Sequence, residues 1–185
     1  MFKKVLVFAL ILVAFNCNAQ DFNMGIKAGV NISKLTEPSY VKYREGVVLG
    51  LFFELYLDEK YGFQTDLLLS QQGLADKNED IKVNIDYLNI PILFNYLVVK
   101  NFKIQAGPQF GYVTHSESKG AYLGFNGHLG STIKFDCSAV IGIGWNFLEF
   151  MRFEARYNIG LTDVLYENEK AKNSVISLTA GYSFL

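Results

Sequence analysis

Apolar and polar residues alternate one for one through most of this chain. In FMRFEARYNIGL (150–161), Met151, Phe153, Ala155, Tyr157, Ile159 and Leu161 interleave with Arg152, Glu154, Arg156, Asn158 and Gly160. Successive side chains of a strand point to opposite faces, so the pattern predicts a strand with one apolar and one polar face. The same period returns in segments 22–33, 46–57, 61–72, 81–98, 102–113, 133–146 and 174–185. No helical stripe lies between them. The fourth segment changes register near Asp86, where Ile81, Val83 and Ile85 give way to Leu88, Ile90, Ile92 and Phe94. A bulge there, or emergence of its first part above a membrane, would account for the change. Pro91 and Pro108 fall inside strands and cannot donate to the ladder, so a bulge or weakened pairing is expected at each.

The links between segments are unequal in an ordered way. Residues 58–60, 99–101 and about 147–149 form short links, whereas 34–45, 73–80, 114–132 and 162–173 are longer and polar. Short turns at one rim and long loops at the other characterise transmembrane barrels, whose short turns are periplasmic. The expected fold is all-β: an eight-stranded antiparallel up-and-down transmembrane β-barrel, over residues 20–185.

Alternation alone also fits a soluble, lipocalin-like barrel with the apolar face inside. Three features favour an outward apolar face. Ten of the 16 glycines, including Gly25, Gly144 and Gly181, fall on the polar face of the segments, with the other six assigned to turns or loops. Glycine weakens a water-facing strand but makes room inside a narrow barrel. The polar face carries isolated charges of both signs, Lys27, Glu54, Asp66, Arg152, Glu154 and Arg156, which can pair when buried. Phe22, Phe63, Phe102, Trp145, Phe150 and Phe184 gather near the short-turn rim, as an interfacial aromatic girdle would.

The N-terminus reads as an export signal: basic MFKK, an apolar run from Val5 to Phe15, and small Ala19 before Gln20. Cleavage after Ala19 is expected, removing 1–19. Phe15 and Asn16 are a poor lead-in to lipidation at Cys17. Loss of Cys17 leaves Cys137 alone, so no intramolecular disulfide is expected.

Composition adds exclusions. The formal net charge is −1 and no basic face or tail appears, which argues against a nucleic-acid partner. His115, Ser116 and Glu117, at the start of the third long link, are adjacent on an extended chain and poorly placed to cooperate as a triad. DKNED (76–80) opens like a calcium loop, but Ile81 replaces the required glycine and Tyr87 the terminal glutamate. No enzyme, cofactor or metal is expected. Eight strands leave an interior just wide enough for side chains, so the interior charges read as a structural ion-pair network rather than a selectivity filter. The expected function is that of a small non-enzymatic outer-membrane barrel whose extracellular loops make contacts or whose role is structural in the envelope. A narrow channel for small solutes or ions and a soluble periplasmic ligand-binding barrel are the alternatives. Tyr40, Tyr43, Tyr122 and Phe125 in the long loops are candidate contacts for a protein or glycan partner. Outer-membrane lipid and the barrel-assembly machinery are the other expected partners.

GIKAGVNISKL (25–35), YLNIPILFNY (87–96), AGPQFGY (106–112) and the terminal AGYSF together resemble the PorT-like outer-membrane β-barrel family of small Gram-negative barrels. Pro91 matches the family's proline in that strand. The resemblance implies an outer-membrane location and supplies no catalytic residues. PorT itself is a longer protein, so its association with secretion does not carry over.

Overall fold

The computed structural model describes residues 22–35, 41–42, 44–76, 82–119, 135–163 and 172–184. Each alternating segment forms a strand: β1 Phe22–Leu35, β3 Arg44–Tyr56, β4 Tyr61–Asp76, β5 Lys82–Val99, β6 Phe102–Lys119, β7 Phe135–Asn146, β8 Met151–Asp163 and β9 Lys172–Ser183. A short addition, β2 (Val41–Lys42), pairs with β4 beyond the end of the β3–β4 ladder. Chain neighbours pair antiparallel, and β1 also pairs with β9, so the eight long strands close into an up-and-down barrel.

Three expectations are corrected. His115, Ser116 and Glu117 do not begin a loop; they belong to β6 and pair with Asp86, Ile85 and Asn84. The bulge near Asp86 is not in β5, which keeps one alternation through Ile85, Tyr87, Asn89, Pro91 and Leu93, all inward and buried. Asp86 faces His115 while Tyr87 faces Val113, so the extra residue is Thr114 of β6, whose hydroxyl donates to the Asp86 carbonyl at 3.0 Å. The interior accepts apolar side chains at this height, so no register change was needed to hide Ile85. Finally, Gly62 and Gly73 lie within β4 rather than in turns, and Gly62 is buried on the inner face.

The prolines interrupt pairing without shifting it. The β4–β5 ladder passes from Thr65↔Ile92 to Leu68↔Asn89, skipping the positions opposite Pro91 and Ile90. Thr65 Oγ1 donates to the Pro91 carbonyl at 3.0 Å. The β5–β6 ladder passes from Pro91↔Gln109 to Phe94↔Ala106, skipping the positions at Pro108 and Gly107.

The apolar face is outside. Leu49, Ile141 and Leu178 are 55%, 52% and 46% exposed, whereas Lys27, Glu54 and Asp66 are 2%, 1% and 2% exposed. A soluble barrel would require the reverse. Among the expected girdle residues, Phe22, Phe63, Trp145, Phe150 and Phe184 are exposed and Phe102 is half-buried. Trp145, Phe150 and Phe184 join the outward clusters Trp145–Phe147–Phe153 and Phe150–Tyr182–Phe184, with neighbouring centroids 5.1–6.5 Å apart. A second outward group, Phe110, Phe135 and Tyr112, marks the long-loop end. From Phe102 to Tyr112 a tilted strand climbs roughly 25 Å, the height of an outer-membrane apolar belt.

Candidate functional site: the barrel interior

Inward positions near the short-turn rim carry the charges. Strand alternation puts Lys27 of β1, Glu54 of β3, Asp66 of β4, Lys103 of β6 and Arg152, Glu154 and Arg156 of β8 on the inner face. The structure joins all six charged residues expected inside into one network and adds Lys103.

Glu154 lies at its centre. Its Oε2 accepts from Lys27 Nζ at 2.5 Å and Arg156 Nη2 at 2.7 Å, and its Oε1 accepts from Gln64 at 3.1 Å. Asp66 Oδ2 accepts from Lys27 at 2.9 Å and Arg156 Nη1 at 2.5 Å. Glu54 accepts from Lys103 at 2.5 Å, Arg152 Nη1 at 2.6 Å, Asn95 at 2.6 Å and Tyr56 at 2.9 Å. Gln105 donates to both Gln64 and Asn95, at 2.9 and 3.0 Å. Each carboxylate therefore has several donors, as a buried charge demands. Four cations, Lys27, Lys103, Arg152 and Arg156, share three carboxylates, leaving one positive charge in the cluster.

Phe52, fully buried in this layer, is covered by two of the cations. The Arg152 guanidinium carbon lies 4.0 Å and Lys27 Nζ 5.4 Å from its ring centroid, a buried cation–π arrangement. Glycines supply the space. A Cβ on Gly144 would sit 2.6 Å from Lys103 Cε, and one on Gly25 would sit 1.9 Å from the Tyr182 carbonyl and 2.7 Å from the Phe52 ring.

Nearer the long loops the filling is uncharged at its centre. Asn31 donates to Ser70 at 2.7 Å, Ser177 to Asn31 at 2.7 Å, Gln72 to Ser70 at 2.8 Å and Asn173 to Gln72 at 2.5 Å. These contacts tie β1, β4 and β9 across the inner face of β3, which offers only Gly46, Val48 and Gly50 there. Val48, Leu68, Leu93, Val140 and Val175 fill inward positions beside them. Asp136 holds an isolated position, accepting from the Thr162 hydroxyl, which in turn accepts from the Cys137 amide at 3.0 Å.

Sequence reasoning missed Lys103 and the amides Gln64, Asn95 and Gln105 as network members. Lys103, Gln64 and Gln105 occupy the polar parity of their segments, which was the available signal. The candidate loop contacts Tyr40, Tyr43, Tyr122 and Phe125, the export signal 1–19 with Cys17, and residues 77–80 of the acidic link lie outside the described residues. Among the described residues, no group of three or more His, Cys, Asp or Glu side chains could hold a metal ion.

Solved structures share this architecture. Ail, the attachment invasion locus protein of Yersinia pestis, solved with the heparin analogue sucrose octasulfate, superposes with a TM-score of 0.57 at 14% identity, covering 89% of this chain and 100% of Ail. Neisserial surface protein A superposes with a TM-score of 0.57 at 9% identity, covering 89% of this chain and 100% of that protein. At such identity the likeness speaks for the fold. No curated protein matches the sequence. Residues 18–166, however, match the family described as outer membrane protein beta-barrel domain. An apolar belt turned to lipid, a polar interior cross-linked by its own ion pairs and that match have one reading: the chain is a small integral outer-membrane protein with extracellular loops, and it belongs to the outer membrane protein β-barrel domain family.

Proposed function

We propose that this barrel is a non-enzymatic membrane scaffold whose extracellular loops make contact with a protein or glycan outside the cell. The reading rests on the filled interior. With Lys27, Lys103, Arg152 and Arg156 bonded across the bore to Glu54, Asp66 and Glu154, the network occupies the space a solute would need. The belt is committed to lipid, which leaves the loops as the variable working surface. His115, Ser116 and Glu117 are consecutive on one strand, an arrangement unsuited to a triad. Tyr40, Tyr43, Tyr122 and Phe125 are the proposed contact residues, since aromatic rings stack on sugars and anchor protein interfaces. The PorT-like pattern of residues 25–35, 87–96 and 106–112 supports kinship with small barrels of that kind. Removal of 1–19 and insertion by the barrel-assembly machinery complete the proposed route to the membrane.

The test uses the purified full-length barrel, unboiled on gels to verify closure. In a planar bilayer it should pass no steady current; an ohmic conductance altered by Arg152→Ala with Arg156→Ala would make it a narrow channel instead. On immobilised sulfated glycans and host-surface proteins, the parent should bind and the variant Tyr40→Ala/Tyr43→Ala/Tyr122→Ala/Phe125→Ala should lose binding. Equal binding by both would remove these residues from the proposal.

A further inference from the structure

The short-turn mouth of the bore holds a cavity of about 630 Å³. Its walls come from five parts of the chain. Asn23 of β1, Tyr56 of β3 and Asn146 of β7 carry the inward parity past the ion-pair network, and the turns after β3 and β5 bring Asp58, Glu59, Lys60 and Lys100. Tyr56 links the cavity to the network, donating to Glu54 at 2.9 Å. The volume is that of a small-molecule site, and short turns of such barrels face the periplasm.

The rim is held in place by its own bonds. Asp58 Oδ1 accepts from the Lys60 and Tyr61 amides, both at 2.7 Å. The Lys60 carbonyl accepts from the Leu97 amide and the Asn101 carbonyl from the Asn146 amide, each at 2.8 Å. Both turns are thereby tied to strands beyond their own hairpins, so the charges they carry are positioned in advance.

Two features of this cavity take no part in the fold. Asn146 Oδ1 is shielded from solvent and has no hydrogen-bond partner among the described residues. Buried polar atoms are nearly always paired, so Asn146 has an acceptor to give to an incoming N–H. The second feature is the ring of charges. Among the described residues, ion pairs join only members of the interior network. Two carboxylates and two ammonium groups therefore stand exposed around one cavity without salt-bridge partners.

We propose that this mouth binds a short dipolar peptide on the periplasmic side, its ammonium at Asp58 and Glu59, its carboxylate at Lys60 and Lys100, and an amide N–H on Asn146 Oδ1. An anionic ligand would meet the two carboxylates, and a cationic one the two lysines. Only a ligand with both signs pairs with all four groups. A zwitterionic lipid headgroup has both charges but no amide N–H for Asn146. Stem peptides of the cell wall and free periplasmic peptides share the required chemistry.

The test is calorimetric titration of the intact barrel in micelles with the tripeptide L-alanyl-γ-D-glutamyl-meso-diaminopimelate. The parent should bind one tripeptide, and N-acetylation of the peptide should weaken binding about tenfold. Asp58→Asn with Glu59→Gln keeps the amide-accepting oxygen of the turn; it should weaken the free peptide about tenfold and no longer distinguish the acetylated one. Lys60→Gln with Lys100→Gln should weaken binding similarly, whereas Glu149→Gln on the other short turn should leave it unchanged. The unboiled gel shift verifies closure of each variant. Co-sedimentation of the parent, but not of the acid variant, with purified peptidoglycan sacculi assigns the peptide to the cell wall; binding of the tripeptide alone assigns it to the free pool. No saturable binding, equal affinity of parent and acid variant, or equal displacement of the tripeptide by phosphoethanolamine would each overturn the proposal.

Discussion

The guanidinium carbon of Arg152 lies over the ring of Phe52, 4.0 Å from its centroid, while its Nη1 bonds Glu54 at 2.6 Å. Arg152 thus serves two partners on β3 at once. Lysine in its place could still reach Glu54 but could not stack, so Arg152→Lys should cost about 1–2 kcal/mol. Arg152→Ala should cost about 3 kcal/mol, because Glu54 then keeps only Lys103 as a charged partner. Urea midpoints of the folded barrel in micelles measure both, and identical midpoints would show that the stack carries no energy.

Glu154 and Lys27 face each other from β8 and β1 at 2.5 Å, with both side chains about 1% exposed. Glu154→Gln should destabilise by about 3–5 kcal/mol, since Lys27 and Arg156 both lose an ionised acceptor. Adding Lys27→Met should recover part of that loss, giving a coupling of about 1–3 kcal/mol in a double-mutant cycle. Strict additivity would mean that the pair is not an energetic unit.

Two glycines should respond differently to alanine. At Gly144 the obstacle is the Lys103 side chain, whose stem must move aside while its Nζ stays with Glu54, so Gly144→Ala should cost about 1–2 kcal/mol. At Gly25 the obstacle is the Tyr182 carbonyl, part of the β1–β9 seam that closes the barrel. Gly25→Ala should therefore cost more than Gly144→Ala and weaken the unboiled gel shift. The reverse order would contradict the inner-wall geometry.

Leu67 and Leu68 are neighbours on β4, yet Leu67 is 42% exposed and Leu68 6%. Arginine at position 67 would meet mid-membrane hydrocarbon, so Leu67→Arg should cost about 2–4 kcal/mol in bilayers. Leu68→Ala loses packing inside and should also destabilise, but by an amount independent of bilayer thickness. If thinning the bilayer leaves the cost of Leu67→Arg unchanged, position 67 does not face lipid.

The strands, their order and the lipid-facing side were legible because each depends on local pattern. Met151 to Leu161 declare one apolar face, and the ordered link lengths declare which ends share a rim. What escaped depends on distances across the bore. Lys103 and Glu54 lie 49 residues apart in sequence, and whether they meet depends on strand stagger and tilt, which no local period encodes. The same limit hid the inward turn of Ile85 and Tyr87, whose apolar character resembles that of lipid-facing residues. The β4, β5 and β6 strands also run on to Asp76, Lys82 and Lys119, past the apolar belt, where polar strand and polar loop read alike.

Some bonds of the interior network join residues far apart along the chain: Lys27 and Glu154 by 127 positions, Arg152 and Glu54 by 98. Such contacts can form only after the ring has closed, so they are absent from the barrier that precedes closure. Interactions missing from a transition state act on the rate of departure and leave the rate of arrival alone. The network therefore works as a latch set after assembly: a barrel stripped of it should fold as fast as the parent and come apart sooner.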